Sequence, residues 1–214
     1  MRRLAWWLTA FLVLAGCGKE PEPSVSSSPA AAAPAQAPPA GRTADTRPVI
    51  VAFGDSLTAG FGLDPGKSYP DFLQKELDSR GYRWRVVNAG VSGDTTSSGM
   101  ARMDAVIAEH PAIVILEFGG NDGLRGLPLA STRENLEQMM VALQKAGARV
   151  VLAGMTLPPN YGPAYIRPFE QIYRDLAARH RVALISFLLE GVAGTTQYMQ
   201  PDGMHPTEEG CRLV

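Results

Sequence analysis

The stretch VIVAFGDSL, residues 49–57, decides the fold class of this chain. Its first five residues are all apolar, without the alternation of polar and apolar side chains found in a strand with one face in water. Such a run is typical of a parallel strand that is covered on both faces. Gly54 and Asp55 then end the strand in a turn. The stretch therefore predicts an α/β domain with Ser56 at the carboxyl end of a buried strand.

The same pattern of apolar runs continues along the rest of the chain. It predicts five strands, at 49–53, 84–88, 113–118, 149–153 and 182–186. Amphipathic stretches lie between them and predict helices at 69–80, at 98–109, from a capping box of Ser131 and Glu134 to Gly147, and at 169–180. We expect a three-layer α/β/α, flavodoxin-like domain whose five-stranded parallel sheet has the order 2-1-3-4-5.

Composition excludes several classes of function. The chain has 214 residues, of which 45% are hydrophobic and 19% are charged, which is an ordinary globular balance. Its 20 Lys and Arg against 21 Asp and Glu give a net charge of -1, so no cationic field is available to attract nucleic acid. We expect a monomer that has no nucleic-acid partner.

The amino terminus has the pattern of a targeting segment. Arg2 and Arg3 precede a mostly apolar run at 4–16, which is too short to span a bilayer upright but suits a signal peptide. The run ends in Leu14-Ala15-Gly16-Cys17, which resembles the lipobox of bacterial lipoproteins. We expect a signal peptide at 1–16 and lipidation of Cys17, although a plain signal anchor or a chance cysteine is the alternative.

The segment 17–47 is rich in Pro, Ala and Ser and has almost no branched or aromatic side chains. It is predicted to be a disordered tether between the lipidated Cys17 and a folded domain at 48–214. The expected location is therefore the periplasmic side of a bacterial membrane. Gly18 rather than Asp follows the cysteine, so by the bacterial sorting rule this would be the outer membrane.

Polar residues follow several of the predicted strands, where an α/β sheet binds its ligands. Ser56 is a candidate nucleophile that needs a base. His110 and His180 lie at helix ends and are expected to be structural. His205 lies in a loop three residues after Asp202, a spacing that allows the carboxylate to orient the imidazole. Asp202 with Gly203 is also a common turn signal, which leaves a purely structural interpretation open.

An attacking serine also needs donors for the oxyanion that forms on the substrate. The backbone amide of Ser56, the loop glycine Gly93 and the side-chain amide of Asn121 are candidates, since they follow the first three predicted strands. Asn121 lies between glycines and Asp122, so it could instead only close a turn.

Four blocks of this sequence together resemble the SGNH, or GDSL, hydrolase family. They are Gly54-Asp55-Ser56-Leu57, Gly93, Gly119-Gly120-Asn121-Asp122 and Asp202-Gly203-Met204-His205-Pro206, in the family's order. Longer matches at 92–95, 119–126, 157–162 and 198–200 are similar to the branch of bacterial thioesterases, lysophospholipases and arylesterases. The resemblance implies Ser56 as nucleophile, His205 as general base, Asp202 as its orienting carboxylate, and the oxyanion donors named above, without metal or other cofactor.

Substrate choice depends on the loops after the third and fourth strands. Leu124, Leu127, Pro158 and Tyr161 are the apolar candidates for binding an acyl chain, although simple loop packing is the alternative. The resemblance implies a small-molecule acyl ester, such as a lysophospholipid, an aryl ester or a fatty acyl thioester. It also implies a last helix, of which 208–214 would be only the first turns, with Cys211 facing the core.

Three other functions remain open from the sequence. The same fold could act as a carbohydrate O-acetylesterase. The crevice could bind a ligand without catalysis, as a ligand-binding lipoprotein. Metal-dependent hydrolysis by Asp202, His205 and Glu208 is remote, because no further histidine stands at ligand spacing.

Overall fold

The computed structural model describes residues 45–214. The predicted signal peptide at 1–16, the lipidation site Cys17 and the tether as far as residue 44 lie outside the described residues. No helix in the described part is long and apolar enough to cross a membrane.

One parallel sheet organises the described residues. Its five strands have the order β2-β1-β3-β4-β5, so the predicted order is confirmed. β1 is the central strand of the first three, and all six of its residues are buried. The strands are β1 Val49–Gly54, β2 Arg85–Gly90, β3 Ile113–Glu117, β4 Arg149–Ala153 and β5 Ala183–Ile185.

Helices cover both faces of this sheet, as the right-handed crossovers between parallel strands require. α2 packs with α8, while α6 packs with both α3 and α7. The helices are α1 Ser56–Ala59, α2 Tyr69–Ser79, α3 Thr96–Ala101, α4 Met103–Ala108, α5 Gly120–Leu124, α6 Leu129–Lys145, α7 Pro163–His180 and α8 Glu208–Leu213, with a 3-10 turn at Pro159–Tyr161.

The core lies between the sheet and the helices. Phe53 of β1 and Phe118, just after β3, meet edge to face with ring centroids 4.8 Å apart. Leu136, Met139 and Met140 of α6 are fully buried over the sheet. Cys211 is buried in α8, as expected for a helix residue facing the core.

Two predicted helices differ from the structure. The helix predicted at 98–109 is two short helices, because the backbone of Arg102 leaves the helical region and its side chain turns toward the sheet. The helix assigned to a capping box of Ser131 and Glu134 begins earlier, at Leu129 after Pro128. Ser131 and Glu134 therefore lie inside its first turns, and the Ser131–Glu134 capping box is wrong.

The remaining differences concern element ends. α7 begins at Pro163 rather than at 169, since proline is favoured in the first turn of a helix, where no amide partner is needed. β5 spans Ala183–Ile185, which is shorter than the predicted 182–186. A capping box does occur at α2, where Ser68 and Asp71 exchange hydrogen bonds.

Candidate active site

The candidate site lies beyond the carboxyl ends of β1, β2 and β3. Ser56 is the first residue of α1, directly after the turn that ends β1. Gly93 follows β2, and Asn121 lies in α5 after β3. The loop that precedes α8 brings Asp202 and His205 to the same place. The switch in strand order between β1 and β3 thus gathers all of the sequence-predicted polar residues.

Ser56, His205 and Asp202 form one connected chain of hydrogen bonds. The Nε2 atom of His205 lies 2.9 Å from the hydroxyl oxygen of Ser56. Its Nδ1 atom lies 2.7 Å from Oδ2 of Asp202. A proton on Nδ1 would leave Nε2 free to accept the serine proton, which is the arrangement that a nucleophilic serine needs.

The carboxylate of Asp202 is held in its charged form. Partial burial alone would raise the pKa of Asp202, but hydrogen bonds from the imidazole of His205 and from the backbone N–H groups of His205 and Met204 outweigh it. The pKa of Asp202 is lowered to about 2 as a result. The group facing Nδ1 is therefore an acceptor at any pH near neutrality.

Two residues that the sequence did not single out fix the loop that carries His205. The side-chain amide of Gln200 donates to the backbone oxygens of Phe61, at 2.7 Å, and of Pro206, at 2.9 Å. The ring of Phe61 also lies against the imidazole, with centroids 4.5 Å apart. These contacts join the loop after α1 to the loop that carries His205, so they restrain the distance between His205 and Ser56.

The three predicted oxyanion donors belong to residues that line one cavity. The N–H groups of Ser56 and Gly93 donate to no acceptor within residues 45–214. The side-chain amide of Asn121 donates to Oδ2 of Asp55 and to the carbonyl oxygen of Asp94, each at 3.0 Å. Both amide hydrogens are thus engaged, so donation to an oxyanion would require Asn121 to give up its bond to Asp94.

Arg102 braces the loop that carries Gly93. Its guanidinium donates to the carboxylate of Asp94 at 2.6 Å and to the backbone oxygens of Ala89, at 2.7 Å, and Gly54, at 2.8 Å. The charge also lies over the rings of Phe53 and Phe118. One side chain therefore connects the ends of β1 and β2 with the loop that carries Gly93, which explains why the helix breaks at Arg102.

A largely apolar cavity of about 590 Å³ opens from Ser56 and His205. Its polar end holds Ser56, Gly93 and Asn121. The apolar remainder is formed by the loops after β3, β4 and β5 and by the segment before the catalytic loop: Leu124, Met155, Leu157, Pro158, Pro159, Phe187, Leu189, Ala193 and Met199. A cavity of this size and polarity suits a small molecule with a hydrocarbon portion.

The four predicted acyl-binding residues are divided between two locations. Leu124 and Pro158 line the cavity. Leu127 and Tyr161 do not, because Leu127 is exposed and the Tyr161 hydroxyl is directed to the backbone oxygen of Leu124 at 2.8 Å. Tyr161 therefore supports the wall of the cavity from behind, and Met155, Phe187, Leu189 and Met199 were missed because buried Met, Phe and Leu in a sequence read as ordinary core.

The other histidines lie away from this site. His180 ends α7 and contacts Oε1 of Glu137 at 2.9 Å. His110 precedes Pro111 after α4, with a backbone φ of 49°. Glu208, the third residue of the remote metal-ligand interpretation, pairs with Lys67 at 2.8 Å.

Comparisons with known proteins agree with this geometry. A profile of the GDSL-like lipase/acylhydrolase family matches residues 52–213. The chain is 48% identical over 158 residues to "Esterase TesA" of Pseudomonas aeruginosa, covering 73% of this chain and 79% of that protein. It is 39% identical over 166 residues to "Thioesterase 1/protease 1/lysophospholipase L1" of Escherichia coli K12, covering 77% and 78% of the two chains.

A solved structure extends the agreement to three dimensions. The crystal structure of TesA superposes with a TM-score of 0.75 at 46% identity, over 77% of this chain and 92% of that one. The family match, the shared sheet order and the Ser56–His205–Asp202 arrangement all fall in the same region. The chain belongs to the GDSL-like lipase/acylhydrolase family, also known as the SGNH hydrolases.

Proposed function

We propose that this protein is a serine esterase that hydrolyses medium- to long-chain acyl esters, including aryl esters, lysophospholipids and fatty acyl thioesters. The observation that carries the proposal is the 2.9 Å contact between Ser56 and His205 at the polar end of an apolar cavity. The names of the relatives, an esterase and a thioesterase/lysophospholipase, support the same substrate class.

The reaction begins with attack by the Ser56 hydroxyl on the acyl carbonyl carbon. His205 accepts the serine proton on Nε2, while Asp202 accepts from Nδ1–H and stabilises the imidazolium. The new bond converts the carbonyl oxygen into an oxyanion next to the Ser56 and Gly93 amides and Asn121. The tetrahedral intermediate then expels the alcohol or thiol, which takes the proton from His205, and the acyl group stays on Ser56.

The second half of the reaction uses the same groups in reverse. Water enters next to His205, which removes a proton as the water oxygen attacks the acyl-serine. Collapse of the second tetrahedral intermediate returns the proton to the Ser56 oxygen and releases the carboxylic acid. Apart from the substrate and this water, every group in the two steps of the proposed mechanism belongs to the chain.

Acyl-chain length is the first test of this proposal. Each methylene that enters an apolar cavity contributes about 0.8 kcal/mol, or roughly fourfold in kcat/KM, until the cavity is full. We therefore expect kcat/KM for p-nitrophenyl esters to rise from acetyl through the medium-length chains. Replacement of the exposed cavity residue Ala193 by tryptophan should remove most of this rise and leave acetyl hydrolysis close to wild type.

The control is the matched change Ala130→Trp at an exposed position of α6. It should leave kcat/KM unchanged for both the acetyl and the longer-chain esters. A preference for acetyl esters in the wild type would instead favour the carbohydrate O-acetylesterase. Binding of long-chain esters without any turnover would favour a ligand-binding lipoprotein.

Location belongs to the same proposal. The sequence Leu14-Ala15-Gly16-Cys17 supports export and lipid anchoring at Cys17, and Gly18 after it supports the outer membrane. We expect a monomeric domain on the periplasmic side. Fractionation of cells that make the full chain tests this anchor. We expect the wild type in the outer-membrane fraction and Cys17→Ser outside it, and an unchanged distribution of Cys17→Ser would contradict lipidation.

A further inference from the structure

Glu117 is a fully buried carboxyl group directly beneath the nucleophile turn. It ends β3, where it lies in register with Gly54 of β1. Gly54 is required here because a Cβ at that position would overlap Oε2 of Glu117 and the hydroxyl of Thr58. The absence of a side chain at Gly54 thus makes the space into which an acidic side chain enters.

The two carboxylate oxygens of Glu117 differ in their surroundings. Oε2 accepts from the backbone N–H of Asp55 at 3.0 Å and from the Thr58 hydroxyl at 2.9 Å. Oε1 is buried and has no hydrogen-bond donor within residues 45–214. An unpaired, buried anionic oxygen is costly, whereas a protonated one can donate to a neighbouring acceptor.

The neighbouring acceptor is the carboxyl group of Asp55, whose backbone N–H donates to Oε2 of Glu117 and whose charge helps to raise the pKa of Glu117. Asp55 is also buried, and its oxygens accept from Leu57 N–H and from the side-chain amide of Asn121, each at 3.0 Å. These two bonds align the start of α1, which carries Ser56, and one oxyanion donor. Asp55 therefore needs to be an acceptor on both oxygens.

No cation neutralises this pair among residues 45–214. Neither carboxyl forms a salt bridge there, since Arg102 pairs with Asp94 and His205 with Asp202. The Thr58 hydroxyl, which donates to Glu117, also contacts the Tyr69 hydroxyl, and the Tyr173 hydroxyl donates to the backbone oxygen of Phe118, the residue after Glu117. His205 acts on Asp55 electrostatically from the catalytic loop, and Arg102 reaches only the backbone oxygen of Gly54. Burial and the adjacent Asp55 charge raise the pKa of Glu117 well above its usual value.

We propose that Glu117 is a neutral positioning residue, which holds one proton on Oε1 and donates it in a hydrogen bond to the Asp55 carboxylate. The shared proton keeps Asp55 charged in a dry site, so that Asp55 can orient the Ser56 turn and the Asn121 amide at the same time. The protonation state of Glu117 does not depend on the proposed esterase function. Only the expected effect of Glu117 on catalysis rests on that function.

The proposal makes a signed statement about stability. A glutamic acid whose pKa is raised by folding binds more protons in the folded state than in the unfolded one. As pH rises from its ordinary pKa toward the raised one, the group ionises in the unfolded chain but not in the fold, so the fold loses stability. Glu117→Gln removes that loss and preserves the contacts, because an amide nitrogen can donate to Asp55 while the amide oxygen accepts from Asp55 N–H and Thr58. The stability of Glu117→Gln relative to that of the wild type should therefore increase as pH rises.

The experiment compares thermal unfolding of the wild type, Glu117→Gln and the exposed control Glu134→Gln between pH 5 and pH 8. We expect the Tm of Glu117→Gln minus that of wild type to rise by roughly 3–6 °C per pH unit, and the control difference to stay flat. A difference that is flat or falls with pH would overturn the proposal. The measurement needs no substrate, so it is decided even if the proposed esterase activity fails.

Activity separates positioning from simple packing. Glu117→Ala should lower kcat by at least tenfold, and Glu117→Gln should recover most of that loss, since only the latter restores a neutral donor to Asp55. Equal loss in both variants would contradict the role of the proton.

Infrared spectra of wild-type protein with ¹³C-labelled glutamate should show an isotope-shifted band of a protonated carboxyl group at neutral pH. The absence of this band would overturn the proposal without any variant.

Discussion

Replacement of Ser56 by alanine is expected to lower kcat for p-nitrophenyl esters by roughly 10⁴- to 10⁶-fold. The hydroxyl oxygen of Ser56 is the only nucleophile within hydrogen-bond distance of His205 Nε2, at 2.9 Å, among the described residues. Without it, His205 can only activate water, and the acyl-enzyme pathway is closed. The serine hydroxyl makes no other side-chain contact in residues 45–214, so the variant should unfold at nearly the same temperature.

Ser131→Ala is the matched control, because Ser131 is exposed on α6 and does not line the cavity. Its kcat and Tm should both equal those of wild type. Steady-state kinetics and thermal unfolding of the three proteins, measured together, decide the matter. Retention of more than a hundredth of the wild-type kcat by a folded Ser56→Ala protein would show that another group attacks the ester.

The sequence predicts the sheet well because every strand is an apolar run with a polar loop after it. β1 and β3 are buried on both faces, and such strands stand out as continuous Val, Ile and Leu. The loops that follow those strands then carry the reactive residues, since parallel strands end at one edge of the sheet. Ser56, Gly93 and Asn121 could be found for this reason. Asp202 and His205 could be found from their three-residue spacing and from their resemblance to the family's last block, and the structure brings all five residues together.

The supporting residues could not be found in the same way. Glu117 ends an apolar run, where a charged residue normally marks the return of the chain to water, but the space left by Gly54 buries it instead. In the sequence, Arg102 cannot be told from an ordinary exposed arginine on a helix. Only its contacts with Gly54 and Asp94 show that it supports the loop after β2. Such roles depend on contacts between residues distant in sequence, which periodicity does not record.

The predicted start of α6 is wrong for a local reason. Ser131 followed by Glu134 fits the capping-box pattern, but Pro128 lies just upstream, with a φ of -57° that already suits a helix. The helix can therefore begin at Leu129. The prediction that Tyr161 lines the cavity is wrong for a similarly local reason. Its hydroxyl donates to the backbone oxygen of Leu124, so the side chain lies behind the cavity wall.

Replacement of Asp202 by asparagine is expected to lower kcat by roughly 10³- to 10⁴-fold while leaving the shape of the loop intact. The carboxylate accepts from Nδ1 of His205 at 2.7 Å and from two backbone N–H groups. An amide nitrogen facing Nδ1 would donate instead of accept. The imidazole would then carry its proton on Nε2, where it cannot take the proton of Ser56.

The same variant has a second, independent signature in its stability. Asp202 has a pKa of about 2 in the folded chain against an ordinary 3.8, so its contribution is fully present above about pH 4 and is lost as pH falls toward 2. The Tm of wild type should exceed that of Asp202→Asn near neutrality, and the gap should narrow between pH 4 and pH 2. Thermal unfolding over this range measures the gap without substrate.

Asp104→Asn supplies the control, since Asp104 is an exposed residue in the first turn of α4. It should leave kcat unchanged and show no comparable narrowing of the Tm gap at acid pH. An Asp202→Asn protein with kcat within tenfold of wild type would mean that Phe61 and Gln200 alone orient the imidazole. A large loss of kcat together with a Tm difference that does not vary with pH would instead mean that Asp202 directs the proton on His205 without stabilising the fold. In that case the ionised carboxylate of Asp202 would contribute nothing to the free energy of unfolding.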